Sequence, residues 1–228
     1  MKIALCLSGQ ARSFRQGHEY FNRNLFAHYD VDVYIHTWQF DDAQQLIDLY
    51  HPVAHKIDAP LNVDCSKYTN VEGIKTHLHP QIATYSMYYS LNECRKLLQS
   101  STVEYQWVIK SRTDWAFNFV PDFANLDNTK IYIPDDIMPE ERDIGNDQFA
   151  FGPVPAMLKY MSTFENIDRY HDSGALFIGE HLMRANLREH NLHGSNLEFI
   201  NVNHPFPPNQ WGGRQNSLIR DDITQWRQ

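Results

Sequence analysis

Cysteine is scarce in this chain, and what there is lies far apart. The 228 residues hold three, Cys6, Cys65 and Cys94. An odd count at wide spacing, with no CxxC pair, argues against a disulfide framework and against a structural zinc site. Cys6 falls inside an apolar run and reads as a buried thiol, which suits a reducing compartment. Long apolar runs are missing as well: no stretch approaches the roughly 18 residues that a membrane span requires. Positive charge is short, with 20 Lys and Arg against 28 Asp and Glu and a formal net charge of −8. That balance argues against a general nucleic-acid surface or a surface for anionic membranes, and leaves room for a local basic pocket that holds a phosphate. A P-loop, a GxGxxG fingerprint and a GxSxG elbow are all lacking. No cysteine sits in a His-paired motif, so a nucleophilic hydrolase has nothing to build on. Internal repeats and low-complexity linkers are absent too.

What is present is an ordinary globular composition, 42% hydrophobic and 21% charged, in a chain long enough for one well-buried domain. A single domain over residues 1–228 is expected. The opening residues 2–7 are apolar after Lys2 but run straight into Ser8-Gly9-Gln10. That pattern is a buried strand and its loop, not the core of a signal peptide, so the fold is expected to start at residue 2 and the protein to be cytoplasmic.

Periodicity predicts strands over 3–7, 31–37, 54–57, 105–111, 130–133, 147–151 and 197–202, with 113–119 continuing in extended form. Helices are predicted over 14–29, 41–50, 80–99, 154–164 and 179–190. The stretches 58–79 and 135–146 read as loops and the tail from 203 as irregular. Strand, loop, helix, strand is the order of a βαβ unit, so the expected class is α/β with a mostly parallel mixed sheet flanked by helices. Open sheets of this class bind ligands at the carboxyl ends of their strands.

That rule singles out a few residues. The strand 105–111 ends in Lys110, Ser111, Arg112, Thr113 and Asp114. Two cations and a carboxylate there suit a diphosphate and its metal; they equally suit a strand end closed by an Arg–Asp pair. In the first loop, Gly9 lets the backbone approach a ligand and Arg12 can reach a phosphate, although an ordinary βα turn would look the same. His36 and Trp38 end the second strand, either as a platform for a base or sugar or as a satisfied histidine and a core aromatic. Asp147 precedes an apolar stretch, where burial would raise its pKa toward that of a general base; a turn aspartate is the plainer reading. Glu180 opens a helix, where the dipole alone accounts for an acid. His204 follows the last strand as a late metal ligand or as a structural histidine.

Taken in order, the blocks KIALCLSGQARSF, VDVYIHTW, YQWVIKSRTDWAF and GNDQFAFG resemble small GT-A-type glycosyltransferases of large DNA viruses and bacteria, among them capsid-glycosylating enzymes of algal viruses. The likeness spans most of residues 2–190. It implies a GT-A fold with a nucleotide-sugar-binding half over about 1–115 and an acceptor-binding half over about 116–228. It also implies a UDP-like sugar donor, a glycan or other hydroxyl acceptor, and Mn²⁺ or Mg²⁺. Such enzymes carry a D-x-D motif at the end of a central strand. Here that place reads Arg112-Thr113-Asp114, so Asp114 matches the metal-binding aspartate while Arg112 replaces the first one. By the same resemblance Ser8, Gly9, Gln10 and Arg12 match the first nucleotide-contacting loop, and Ser86 and Tyr89 lie on the helix that flanks the donor. Asp147 and Glu180 stand where a catalytic carboxylate is expected, and His204 where some relatives place a late metal ligand. Two readings compete with transfer: a metal-dependent nucleotide phosphoesterase, for which His171-Asp172 is the one adjacent pair, and a module that binds a nucleotide-sugar without chemistry.

Overall fold

A computed structural model describes residues 1–68, 81–134 and 147–200. Seven strands form one mixed sheet, β1 (Lys2–Ser8), β2 (Asp30–Trp38), β3 (Ala54–Asp58), β4 (Trp107–Ser111), β5 (Ile131–Pro134), β6 (Ala150–Pro153) and β7 (Leu197–Ile200). Their order across the sheet is β3-β2-β1-β4-β6-β5-β7. The first four are mutually parallel, β6 runs against both β4 and β5, and β7 is parallel to β5. The sheet is therefore mixed and mostly parallel, compatible with a Rossmann-like fold.

Helices cover both faces, and strand alternation decides which side chain meets which helix. Ala4, Cys6, Tyr34 and Val108 point to one face, under α3 (Gln81–Gln99), α4 (Val154–Tyr160), α5 (Ile167–Asp172) and α6 (Gly179–Glu189). Ile3, Leu5, Leu7, Ile35 and Ile109 point to the other, under α1 (Phe14–Phe21) and α2 (Ala43–Tyr50). The long helix α3 buries Thr84, Tyr88, Leu91, Arg95 and Leu98, a stripe at alternating spacings of four and three that fits one helix face. Its buried charges are paired, Glu93 with Lys56 and Lys96 and Arg95 with Glu165. Cys6 and Cys94 are fully buried, Cys65 nearly so, and all three are free thiols. Cys94 donates to the carbonyls of Leu7 and Tyr34 at 3.6 and 3.5 Å, which fastens α3 to β1 and β2. Cys65 lies beyond β3, in a segment held down by Tyr68, whose ring stacks on Phe177 at 3.7 Å.

Four local expectations are corrected. The helix expected over 14–29 is α1 followed by a single wider π turn, Asn22–Phe26. Asn24 there donates to the Phe117 carbonyl at 2.6 Å, so a tertiary bond shapes the turn. Residues 113–119 form no strand beyond a single bridge at Trp115; Trp115 and Phe117 are buried, with Trp115 stacked on Phe149 at 5.2 Å. The strand expected over 147–151 starts at Ala150, because the Lys110 ammonium takes the carbonyls of Asp147 and Gln148. Finally, the helix expected over 154–164 ends at Tyr160, and a 3₁₀ turn and the six-residue α5 follow it. Among the described residues no helix is long and apolar enough to cross a membrane.

Candidate functional site

Strand order reverses direction between β1 and β4, the place where open sheets of this class form a ligand crevice. From β1 the chain moves outward to β2 and β3, then returns across α3 to enter β4 on the other side of β1. Such a reversal opens a ligand-sized gap outside the carboxyl ends of the two strands. Register puts those ends level, with Ser8 beside His36 and Leu7 beside Ser111.

The loop after β1 forms one wall. Gly9 has φ 106°, a conformation that glycine adopts without steric cost. Its N–H donates to Ser90 Oγ at 2.7 Å and to the His36 carbonyl at 3.2 Å, so this donor is already engaged within the fold. Ser8 is buried, Gln10 and Arg12 are exposed, and the Arg12 guanidinium donates to Gln10 Oε1. The turn after β4 is tied to this wall, because Thr113 Oγ1 donates toward the carbonyls of Gln10 and Arg12 at 3.4 and 3.2 Å.

The three charged residues of that turn have different positions. Lys110 is 2% exposed and its ammonium is spent on the carbonyls of Asp147 and Gln148. Burial pulls its pKa down to about 8. It pins the entry to β6 and does not face solvent, which corrects its expected place as a donor-binding cation. Arg112 forks onto Asp114, with Nε to Oδ1 at 2.8 Å and Nη2 to Oδ2 at 2.6 Å. The Asp114 side chain is 4% exposed and that of Arg112 is 27% exposed. The pair thus presents its cationic member outward.

Antiparallel pairing of β6 with β4 sets Lys110 opposite Ala150 and brings residues 147–148 to the same edge. Asp147 is buried there, against the first residue of α6: a Cβ on Gly179 would collide with Asp147 Oδ2. Tyr88 of α3 closes the floor by donating to the Gly179 carbonyl at 2.5 Å. Burial, and after it the negative charge of Glu180, raises the Asp147 carboxyl to about 6, with Lys110 and Arg112 pulling the other way. Asp147 and Glu180 are therefore electrostatic neighbours of one another and of the Arg112 turn.

A second cluster holds His36, Trp38 and Tyr89, which the sequence singled out, together with partners that it did not. His36 is fully buried, with Nδ1 at 2.7 Å from Ser90 Oγ and Nε2 at 3.1 Å from Asp58 Oδ2. Burial lowers the His36 pKa while Asp58 partly restores it. Tyr89 donates to Asp58 at 3.1 Å and stacks on Trp38 at 5.7 Å. Trp38 is buried in that stack, not an open platform, and Ser86 is half-buried on α3. Asp58 and Ser90 are the residues missed; only the position of Asp58 at a strand end before Pro60 could have flagged it.

The described donors around Asp114 do not fit a divalent cation. Both Asp114 oxygens accept from Arg112, and among the described residues no three His, Cys, Asp or Glu gather to hold a metal. His204 lies outside the described residues. The His171-Asp172 pair ends α5, where His171 Nδ1 sits 3.2 Å from the Ala175 carbonyl and its ring meets Tyr68 and Phe177 edge-on. No protein-family model matches this chain, and no curated protein matches it in sequence.

Proposed function

We propose that the crevice binds a nucleoside-diphosphate sugar, UDP-like in kind, and that the chain transfers the sugar to a hydroxyl acceptor. One observation carries this reading. The exposed Arg12 loop, the outward-facing Arg112 and a buried carboxyl raised to about 6 meet at the strand-order reversal, where sheets of this class bind nucleotides. The parallel β3-β2-β1-β4 half and the reversed β6 are compatible with the GT-A fold that the sequence blocks suggest.

Chemically, the acceptor oxygen bonds to the anomeric carbon as the bond from that carbon to the diphosphate oxygen breaks. The bonding pair leaves on the diphosphate, and the acceptor's proton passes to a carboxylate. Negative charge grows on the leaving group, and fixed cations at the crevice stabilise it. Asp147 is assigned the proton because a carboxyl near 6 is ionised at neutral pH yet more basic than a free aspartate. Glu180 is assigned a supporting role, holding that basicity up through its charge.

The test is a panel of nucleotide-sugars with simple glycoside acceptors, read as release of nucleoside diphosphate. Turnover with at least one donor is expected, and Asp147→Asn should lower kcat by about 100-fold or more with donor affinity retained. Tight donor binding with no diphosphate release would establish a binding module instead. Release of inorganic phosphate from free nucleotides would favour the phosphoesterase.

A further inference from the structure

The Arg112–Asp114 pair bears on how the diphosphate is held. Asp114 is the carboxylate that the resemblance assigns to a metal, yet its two oxygens already accept from Nε and Nη2 of Arg112. A divalent cation at Asp114 would have to pull a forked guanidinium off a buried carboxylate. It would also stand near two cations, because Lys110 is buried in the same neighbourhood and both Lys110 and Arg112 feel Asp114 and Asp147. Like charges repel more strongly in a partly desolvated site than in water. Meanwhile the guanidinium keeps donors to spare. It has five N–H groups in a rigid fork; two go to Asp114, and the side chain is 27% exposed. Arginine in this state suits a phosphate oxygen, since one edge is fixed by a carboxylate and the other is presented in a set orientation. Arg12 lies on the loop that Thr113 ties to the same turn.

We infer that Arg112, oriented by Asp114, takes the diphosphate of the donor in place of a divalent cation, so that the chain binds its donor without metal. The inference rests on the proposed donor reading. Asp114 then becomes a positioning residue that aims Arg112, and Arg12 supplies the second cationic contact.

The test measures binding, not turnover. Uridine diphosphate and inorganic pyrophosphate are titrated calorimetrically into the full chain, once with excess EDTA and once with MnCl₂. Dissociation constants that agree within about threefold are expected, since no counter-ion is needed. The double change Arg112→Gln with Asp114→Asn removes both charges together and leaves no buried unpaired carboxylate, so a folded variant is available. It should weaken both probes by about 10-fold or more under either condition, the scale of a lost charge-assisted hydrogen bond. Binding that appears only with MnCl₂ overturns the inference and leaves the donor reading standing. Metal-free binding that survives the double change at full strength also overturns it. If neither probe binds with or without MnCl₂, the donor reading itself fails, and the inference with it.

Discussion

Asp147 shows what a single buried carboxyl costs and supplies. Its pKa is near 6 in the folded chain and 3.8 in a free aspartate, so the folded state holds its proton more tightly than the unfolded state does. The contribution of this group to stability is therefore fully present below pH 4. It is lost as pH rises from about 4 to about 6, and it stays lost above that window. Asp147→Asn keeps the shape and cannot ionise, so it should unfold at a higher temperature than the parent at pH 8. The gain is up to about 3 kcal/mol, and the difference should vanish at pH 3.5. Thermal unfolding followed at both pH values checks this; an equal shift at the two would mean that packing, not charge, sets the effect. If Asp147 is also the base, the same variant gains stability as it loses turnover. His36 works in the opposite sense. Burial lowers its pKa below the usual value, so the unfolded chain takes the proton first, and this residue costs stability as pH falls below about 6.5.

At the scale of elements, Gly17 lets α1 lie close against the turn after β4. A Cβ on Gly17 would collide with the Thr113 carbonyl and would stand 3.5 Å from Tyr50 Oη. Backbone cannot swing aside as a flexible side chain does, so Gly17→Ala should cost about 1–3 kcal/mol in chemical denaturation, the usual penalty of overpacking. An unchanged midpoint would mean that α1 slides without resistance. Elements with continuous apolar runs, β1, β2, α3 and β4, were legible in the sequence within a residue or two, because local pattern decides them. Long-range contacts set what was not legible. The start of β6 depends on Lys110 capturing two carbonyls, and the Trp115 segment alternates like a strand but forms only one bridge and packs its ring on Phe149. The direction of β6 leaves no local trace either. For the site, strand ends located Arg112, Asp114 and Asp147, while the pairing of His36 with Ser90 and Asp58 spans 54 and 22 residues of chain and has no spacing to read.

Across the whole molecule, the sheet ignores any division of the chain near residue 115. Strand β4 belongs to the amino-terminal part, yet its neighbour on one side is β6, and its buried Lys110 is satisfied by residues 147 and 148. A fragment ending at 115 would expose that strand edge and strand a buried ammonium without acceptors. We expect residues 1–115 alone to show no cooperative unfolding transition by circular dichroism. A sharp transition would show that this part folds independently. Electrostatics at this scale also matters for the donor. With a formal net charge of −8, the surface repels an anionic ligand at long range, so association should quicken as added salt screens the repulsion, until the contacts to Arg12 and Arg112 are screened in turn.

The buried thiols give the fold an internal clock. Only thiolate reacts with an aromatic disulfide reagent, and a sulfur sealed in the core must first be exposed. Cys6 and Cys94 sit where α3 grips β1 and β2, so their labelling waits for the central sheet to open. Cys65 lies in the segment that Tyr68 anchors on Phe177, and a local detachment of that segment frees it. Labelling under native conditions should thus proceed as one faster event and two slow ones. The ratio of the two rates measures how much more readily the Tyr68 segment detaches than the central sheet opens.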